Sequence, residues 1–218
     1  PRNNEGRGDQ VFPIDEEWLS YSVRHWFSTG GDGTLGTSYH HLNKDSVVME
    51  VGAYHGSWTR AMSDKYRCKI LAYEPVEECY TICTESLESY GNVMLNDYGL
   101  SDKTEDVTLY LDKDGSSMSK KTNDTTTIKV VDVVEELEKI GTKIDLIHLN
   151  IEGAEYDFLD RLIDSGKIND VRSLMIQFHY HDGRGSFDRR LNIQKKLADT
   201  HVMKFNFDFV WERWDLIR

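Results

Sequence analysis

The first chemistry this chain offers is an acid set against a glycine turn. Val47-Val48-Met49-Glu50-Val51 is a short apolar run that ends on Glu50 and leads into Gly52-Ala53-Tyr54-His55-Gly56. Glycine at 52 and 56 lets the backbone turn sharply and approach a ligand with no Cβ in the way. The pattern is E-x-G-x-x-x-G. The G-x-G-x-x-G spacing that cradles a pyrophosphate is absent, so this turn is not a dinucleotide loop. A second acid follows the same logic. Lys69-Ile70-Leu71-Ala72-Tyr73 is apolar and runs into Glu74-Pro75. An acid at the end of the second strand of a βαβ unit accepts hydrogen bonds from ribose hydroxyls. Two acids flanking a glycine turn suit a ligand with a ribose and a positively charged amino-acid end. S-adenosylmethionine has both, and a sulfonium besides.

Such a site needs strands that deliver the acids to one edge of a sheet, and the hydrophobic pattern supplies them. Strands are predicted over 46–51, 69–74, 92–96, 144–150 and 174–178, with helices over 57–66, 76–90, 133–140, 154–164 and 187–199 between and after them. Gly166 is placed to end the fourth of these helices. Two β-rich stretches, 107–111 and 126–131, flank a polar surface tract over 112–124. The aromatic series Phe205, Phe207, Phe209, Trp211 and Trp214 reads as strand material packed in the core, with 203–211 as the last strand. Repeated strand–helix units imply an α/β domain: a doubly wound, mostly parallel sheet with helices on both faces. Ahead of it, 1–45 reads as a polar linker, a helix over 15–27 capped by Asp15, and a glycine-rich loop over 30–36; the compact domain is 46–218.

Composition bounds the partners. The chain has 218 residues, 39% hydrophobic and 29% charged, with a formal net charge of −12. So acidic a chain is poorly suited to grip phosphate backbones, and nucleic acid is not expected as a partner. No run approaches the length of a membrane span, so no membrane insertion is expected. Three cysteines, Cys68, Cys79 and Cys83, match no zinc spacing and read as reduced thiols of a cytoplasmic protein. The first residue is Pro1 rather than Met, which fits a domain cut from a longer polypeptide.

The third constellation is Asn150-Ile151-Glu152-Gly153-Ala154-Glu155, at the end of the strand over 144–150. In a doubly wound sheet this segment stands beside the first glycine turn. Taken with the first two motifs, it makes the chain resemble the FkbM-type methyltransferases, a class I S-adenosylmethionine-dependent family. The resemblance spans roughly 47–178. It rests on Met49 to Gly56, on Ala72-Tyr73-Glu74-Pro75, and on Ile144 to Glu155, with weaker support from Asn96 to Asp102 and from Ser116-Ser117-Met118. The chain departs from the family pattern at His148, where lysine is common, at Asn150, where aspartate is common, and at Tyr54-His55. Asn150 cannot act as a carboxylate base or as a strong metal ligand, so no metal is expected. His148 reads as a hydrogen-bonded core histidine.

The resemblance implies a Rossmann-like class I methyltransferase fold with S-adenosylmethionine held by Glu50, Gly52, Ala53, Tyr54, His55, Gly56, Glu74, Pro75, Gly99, Ser117 and Asn150. It implies O-methyl transfer to a sugar or glycan acceptor, a terminal deoxyhexose such as rhamnose being a reasonable one, and a place among other transferase domains of a glycan-synthesis polypeptide. Methyl transfer to an alcohol needs the partners aligned and a base for the hydroxyl proton. The base candidates lie in Gln177-Phe178-His179-Tyr180-His181-Asp182, which follows a strand. Histidine as a residue type titrates near neutrality, which suits His179 and His181 to base work, and Glu152 and Asp182 can support them or contact substrate. The H-x-H pair with Asp182 has metal ligation as its alternative use. Two other readings stay open: an NAD-dependent or nucleotide-sugar oxidoreductase on the same sheet, and a non-catalytic module that binds S-adenosylmethionine.

Overall fold

Alternate residues of the central strands go to opposite faces of one sheet, and both faces are covered. Met49, Leu71, Ile147 and Leu174 join one buried cluster, while Val48, Ile70, Leu146 and Met175 join the other. That is why these strands read as unbroken apolar runs rather than as alternating ones. Each such side chain contributes roughly 1.5–3 kcal/mol through burial.

The computed structural model describes residues 16–112, 115–117, 125–181 and 184–217. In chain order the elements are α1 (Glu16–Ser28), β1 (Val47–Val51), α2 (Ser57–Tyr66), β2 (Lys69–Tyr73), α3 (Glu77–Leu87), β3 (Val93–Asn96), β4 (Gly99–Ser101), β5 (Glu105–Asp112), β6 (Gly115–Ser117), β7 (Thr125–Asp132), α4 (Val133–Ile140), β8 (Leu146–Leu149), α5 (Glu155–Asp164), β9 (Ser173–Ile176), α6 (Arg184–Leu197), β10 (His201–Phe207) and β11 (Trp211–Leu216). The proposed cap Asp15 and the polar segment before it lie outside the described residues, as does Asp182.

Seven strands form the main sheet in the order β10-β11-β9-β8-β1-β2-β3. The five from β9 to β3 are parallel, and β11 is antiparallel to both β9 and β10. Strand order reverses at β1, between β2 and β8, so a crevice opens there at the carboxyl edge. Helices α4, α5 and α6 supply Leu137, Phe158, Leu162 and Ile193 to the cluster on one face. On the other face, Trp26 of α1 and Met62 of α2 pack with Tyr39. A second, four-stranded sheet in the order β4-β7-β5-β6 flanks the first.

Three elements differ from the sequence expectation, and one of them is β6, a three-residue strand inside the tract over 112–124 that reads as a surface loop. The aromatic series does not lie on one strand: the chain turns at 208–210, with Val210 N–H on the Phe207 carbonyl at 2.8 Å, and Trp211 and Trp214 run back on β11. Period-two alternation passes unbroken through that turn because Phe209 occupies it at φ 55°, a position composition alone does not flag. Strand β4 was also missed. At three residues, it is too short for a periodicity to register.

Candidate active site

Strand pairing alone brings the three motifs together. Glu50 on β1 is registered with Ala72 on one side and His148 on the other. The carboxyl ends of β1, β2 and β8 therefore place the glycine turn between Glu74 and Asn150.

The turn is built for close approach. Gly52 has φ 89°, and a Cβ there would run into the Asn150 carbonyl oxygen. Both Gly52 N–H and Ala53 N–H donate to the Tyr73 carbonyl at 3.0 Å, which ties the turn to the end of β2. Gly56 has φ 76° and caps α2; a Cβ there would sit 2.9 Å from Ser86 Oγ. Between them Tyr54, also in the left-handed region at φ 51°, is 61% exposed and stacks on His55 with ring centroids 3.6 Å apart.

Glu74 accepts one backbone N–H on each oxygen: Tyr54 N–H at 2.8 Å and Val76 N–H at 3.0 Å. Each carboxylate oxygen has a further lone pair, which suits a ribose diol. Burial raises the Glu74 pKa, and the two backbone N–H groups work against that rise. Pro75 and Gly99 are neighbours, since a Cβ on Gly99 would lie 3.4 Å from Pro75 Cγ. Ser117 ends β6 in the smaller sheet.

Glu50 is only 2% exposed and accepts a hydrogen bond from Thr59 Oγ1 on α2. Burial pushes its pKa up to about 8; the Thr59 hydroxyl opposes this, and the Glu74 charge adds to it. Without a cation beside it, Glu50 is therefore largely protonated at neutral pH. Asn150 Oδ1 is buried and has no hydrogen-bond partner in the protein. A buried orphan acceptor is uncommon and calls for a donor from outside the chain. These residues fit S-adenosylmethionine: Asn150 Oδ1 and Glu50 await a cationic donor, Glu74 a diol, and the Gly52 turn a close backbone approach.

The second half of the site joins the β8–α5 turn to the segment after β9. Glu155 is fully buried; its Oε1 accepts Ile151 N–H at 3.0 Å, and its Oε2 accepts Gly153 N–H at 3.0 Å. That same Oε1 lies 2.7 Å from His179 Nδ1, and Glu152 Oε1 lies 3.3 Å from His179 Nε2. Burial opposes a charge on His179, but the two carboxylates outweigh it and push its pKa up to about 10. His179 is thus a cation near neutrality, with a proton on each nitrogen.

His181 differs. Its Nε2–H donates to the Glu152 carbonyl at 3.0 Å, so in the neutral ring Nδ1 is the lone-pair nitrogen. Its ring edge rests where Gly153 has no Cβ; one there would come within 2.6 Å of Nε2. The two imidazoles are nearly parallel, 5.6 Å apart. Glu152 holds a left-handed φ of 53° in this turn, and its carbonyl accepts the His181 hydrogen bond.

His148 is a core residue, but not a hydrogen-bonded one at Nδ1, which is buried without a partner. Its ring stacks on Trp58 at 4.1 Å and tilts against Trp211 at 4.7 Å. Burial lowers its pKa to about 3, so it stays neutral. The glycine-rich loop over 30–36 packs over this face: Trp58 Nε1 donates to the Gly36 carbonyl at 3.0 Å.

Thr59 and the buried Glu155 were not singled out as site residues from the sequence. For Glu155 the signal was its place in the Asn150–Glu155 block; Thr59, nine residues after Glu50, carried none. Among the described residues no group of three or more His, Cys, Asp or Glu is arranged to hold a metal ion. A separate cavity of about 590 Å³ opens at the opposite edge of the sheet, among His41, Lys143, Arg172 and Ser173. It shares no residue with the cluster above, which is the candidate active site at the carboxyl edge.

Solved structures with the same fold are distant in sequence. A candidate methyltransferase from Streptococcus mutans in complex with SAH matches with a TM-score of 0.50 and 15% identity, over 81% of this chain and 91% of its own. A candidate rRNA methylase from Clostridium thermocellum matches with a TM-score of 0.51 and 9% identity, over 81% and 89%. A fibrillarin/Nop5p complex matches with a TM-score of 0.53 and 15% identity, over 100% and 91%. At such identities these likenesses bear on the fold alone, and they make it a Rossmann-like class I methyltransferase fold. No curated protein is significantly similar in sequence. The FkbM methyltransferase domain, by contrast, matches residues 50–212, from the acid before the glycine turn to the second residue of β11. With that match over most of its length, the chain belongs to the FkbM methyltransferase family, and S-adenosylmethionine is its methyl donor.

Proposed function

We propose that this protein methylates the oxygen of a neutral sugar hydroxyl, with His181 taking the hydroxyl proton. The observation that carries the reading is the contrast between the two histidines. His179 is fixed as a cation between Glu152 and Glu155 and has no lone pair to offer. His181 spends its proton on the Glu152 carbonyl and keeps Nδ1 as a basic nitrogen. S-adenosylmethionine, when bound, supplies a methyl group on a positively charged sulfur.

The chain's residues do the rest. Glu74 orients the ribose end, Asn150 Oδ1 and Glu50 receive the ammonium end, and the Gly52 turn allows the cofactor close to the backbone. Glu155 locks the β8–α5 turn and His179 together, so that His181 sits at a defined place on the same edge. A positioned base of this kind contributes roughly 10²–10⁴ in rate.

A sugar rather than an RNA acceptor is supported by charge. The net charge of −12 opposes a phosphate backbone and is indifferent to a neutral ring. A deoxyhexose such as rhamnose fits this reading. A cytoplasmic location is supported by the three free thiols. Transfer of a labelled methyl group from S-adenosylmethionine to methyl α-L-rhamnopyranoside, run beside a structured RNA, tests the proposal. Label on the sugar alone is the expected result; label on the RNA alone overturns it. Titration calorimetry with S-adenosylhomocysteine and NAD provides a second check: the adenosyl compound binds, and NAD does not.

A further inference from the structure

Four non-glycine residues among those described have a left-handed backbone: Tyr54, Arg67, Glu152 and Phe209. Arg67 ends α2, where such a conformation is common. Tyr54 and Glu152 belong to the site already described. Phe209 belongs to none of these. A bulky aromatic at φ 55° is strained where glycine would not be, and such strain collects at functional sites.

Its position explains where that strain is used. Strand β11 is antiparallel to β9, and Glu212 is registered with Ile176. The turn before β11 therefore lies at the carboxyl end of β9, on the edge that carries His179 and His181. The Phe209 ring meets the Tyr180 ring edge-on, with centroids 5.0 Å apart, and Tyr180 stands between the two histidines in the chain.

The turn is also held rigidly. Arg190 of α6, only 2% exposed, reaches Asp208 Oδ1 at 2.9 Å, Asn206 Oδ1 at 2.5 Å and Glu212 Oε2 at 2.7 Å. Its guanidinium lies 4.9 Å from the Phe209 ring centre. Trp18 Nε1 donates to Asp208 Oδ2 at 3.2 Å from the far side. A buried cation, satisfied by three side chains of the hairpin, is thus used to fix the place of one strained, half-buried ring.

We propose that Phe209 and Tyr180 form the apolar wall against which the acceptor ring packs, and so set acceptor specificity. This rests on the sugar-methylation reading above. A pyranose offers a C–H face to such a wall while its hydroxyls face the histidine side, whereas an acyclic polyol offers no flat face.

The test compares Phe209→Gly with Phe209→Ala. Both remove the ring, but glycine relieves the backbone and alanine does not. Methyl transfer to methyl α-L-rhamnopyranoside is measured alongside S-adenosylhomocysteine affinity and thermal unfolding. The wall predicts that the acceptor KM rises by about tenfold in both variants alike, with cofactor affinity unchanged and with the glycine variant unfolding at the higher temperature. Tyr180→Ala is expected to raise the acceptor KM in the same way. If the KM change follows stability, so that glycine restores what alanine loses, Phe209 is a packing residue and the proposal falls. An unchanged KM in both variants also overturns the wall while leaving the sugar reading intact. Absence of transfer by the unmodified protein overturns the sugar reading, and the wall with it.

Discussion

Nδ1 of His179 lies 2.7 Å from Oε1 of Glu155, a carboxylate with no exposure to solvent. Twenty-four residues separate the two in the chain, and the contact joins the segment after β9 to the turn after β8. A buried ion pair of this kind gains less than its Coulomb attraction suggests, yet breaking it from one side is costly. Glu155→Gln leaves the imidazole without its buried counter-charge and weakens the support of Ile151 N–H and Gly153 N–H. We expect a loss of about 3 kcal/mol, read by urea denaturation. Histidine NMR titration should show the His179 pKa falling well below the wild-type value. An unmoved titration curve would mean that Glu152 alone holds the charge.

The same pair sets a pH dependence. The folded pKa of His179, about 10, stands above its ordinary 6.5. Its stabilisation is therefore complete below about pH 6.5 and is lost as pH rises through 10. His179→Gln should flatten that part of the stability profile. A variant profile that still declines in parallel with the wild type over this range would show that another group is responsible.

Glu50 makes a separable contribution. Its pKa is raised from 4.5 to about 8, so the protonated acid is favoured in the fold. Its share of stability is present below pH 4.5 and declines as pH rises through 8. Glu50→Gln should therefore gain up to roughly 5 kcal/mol over the wild type above that range. It should also bind S-adenosylmethionine about tenfold more weakly, for want of a charge-assisted acceptor. Binding to the wild type near neutrality should release a proton. Calorimetry in buffers of different ionisation enthalpy reads that release directly, and identical heats in all buffers would count against it.

Gly52→Ala tests the turn. The added methyl meets the Asn150 carbonyl, which is backbone and cannot swing away, and φ 89° is unfavourable to alanine. We expect destabilisation of about 4 kcal/mol or more and no measurable binding of S-adenosylhomocysteine. Thermal unfolding within a degree of the wild type would contradict this.

His181→Ala should lower kcat by roughly 10²-fold or more while leaving cofactor affinity unchanged. Glu74→Ala should do the reverse, weakening S-adenosylhomocysteine by about tenfold through the lost ribose contact. If both variants lose affinity and neither loses turnover selectively, the division of labour between the two halves of the site is wrong.

Local features of the sequence determined a large part of this protein. Mostly apolar runs at 47–51, 69–73 and 146–149, each followed by an acid, amide or glycine, mark strands and the edge where they end, because burial on both faces admits few polar residues within them, Glu50 and His148 among those. Gly52 and Gly56 are legible for the same reason: only glycine fits a left-handed turn packed on its neighbours. What the tertiary structure decided was the chemical state of each group. His179 and His181 look alike in sequence; the first is a cation because Glu152 and Glu155 approach it across more than twenty residues, while the Nε2–H of the second donates to the Glu152 carbonyl. Glu50 is held toward its protonated form because the packed sheet excludes water from it, against the opposing hydrogen bond from Thr59, and Phe209 reaches the active edge only because β11 turns back along β9. Desolvation, charge proximity and strand direction depend on atoms far apart in the chain, and no spacing within it records them.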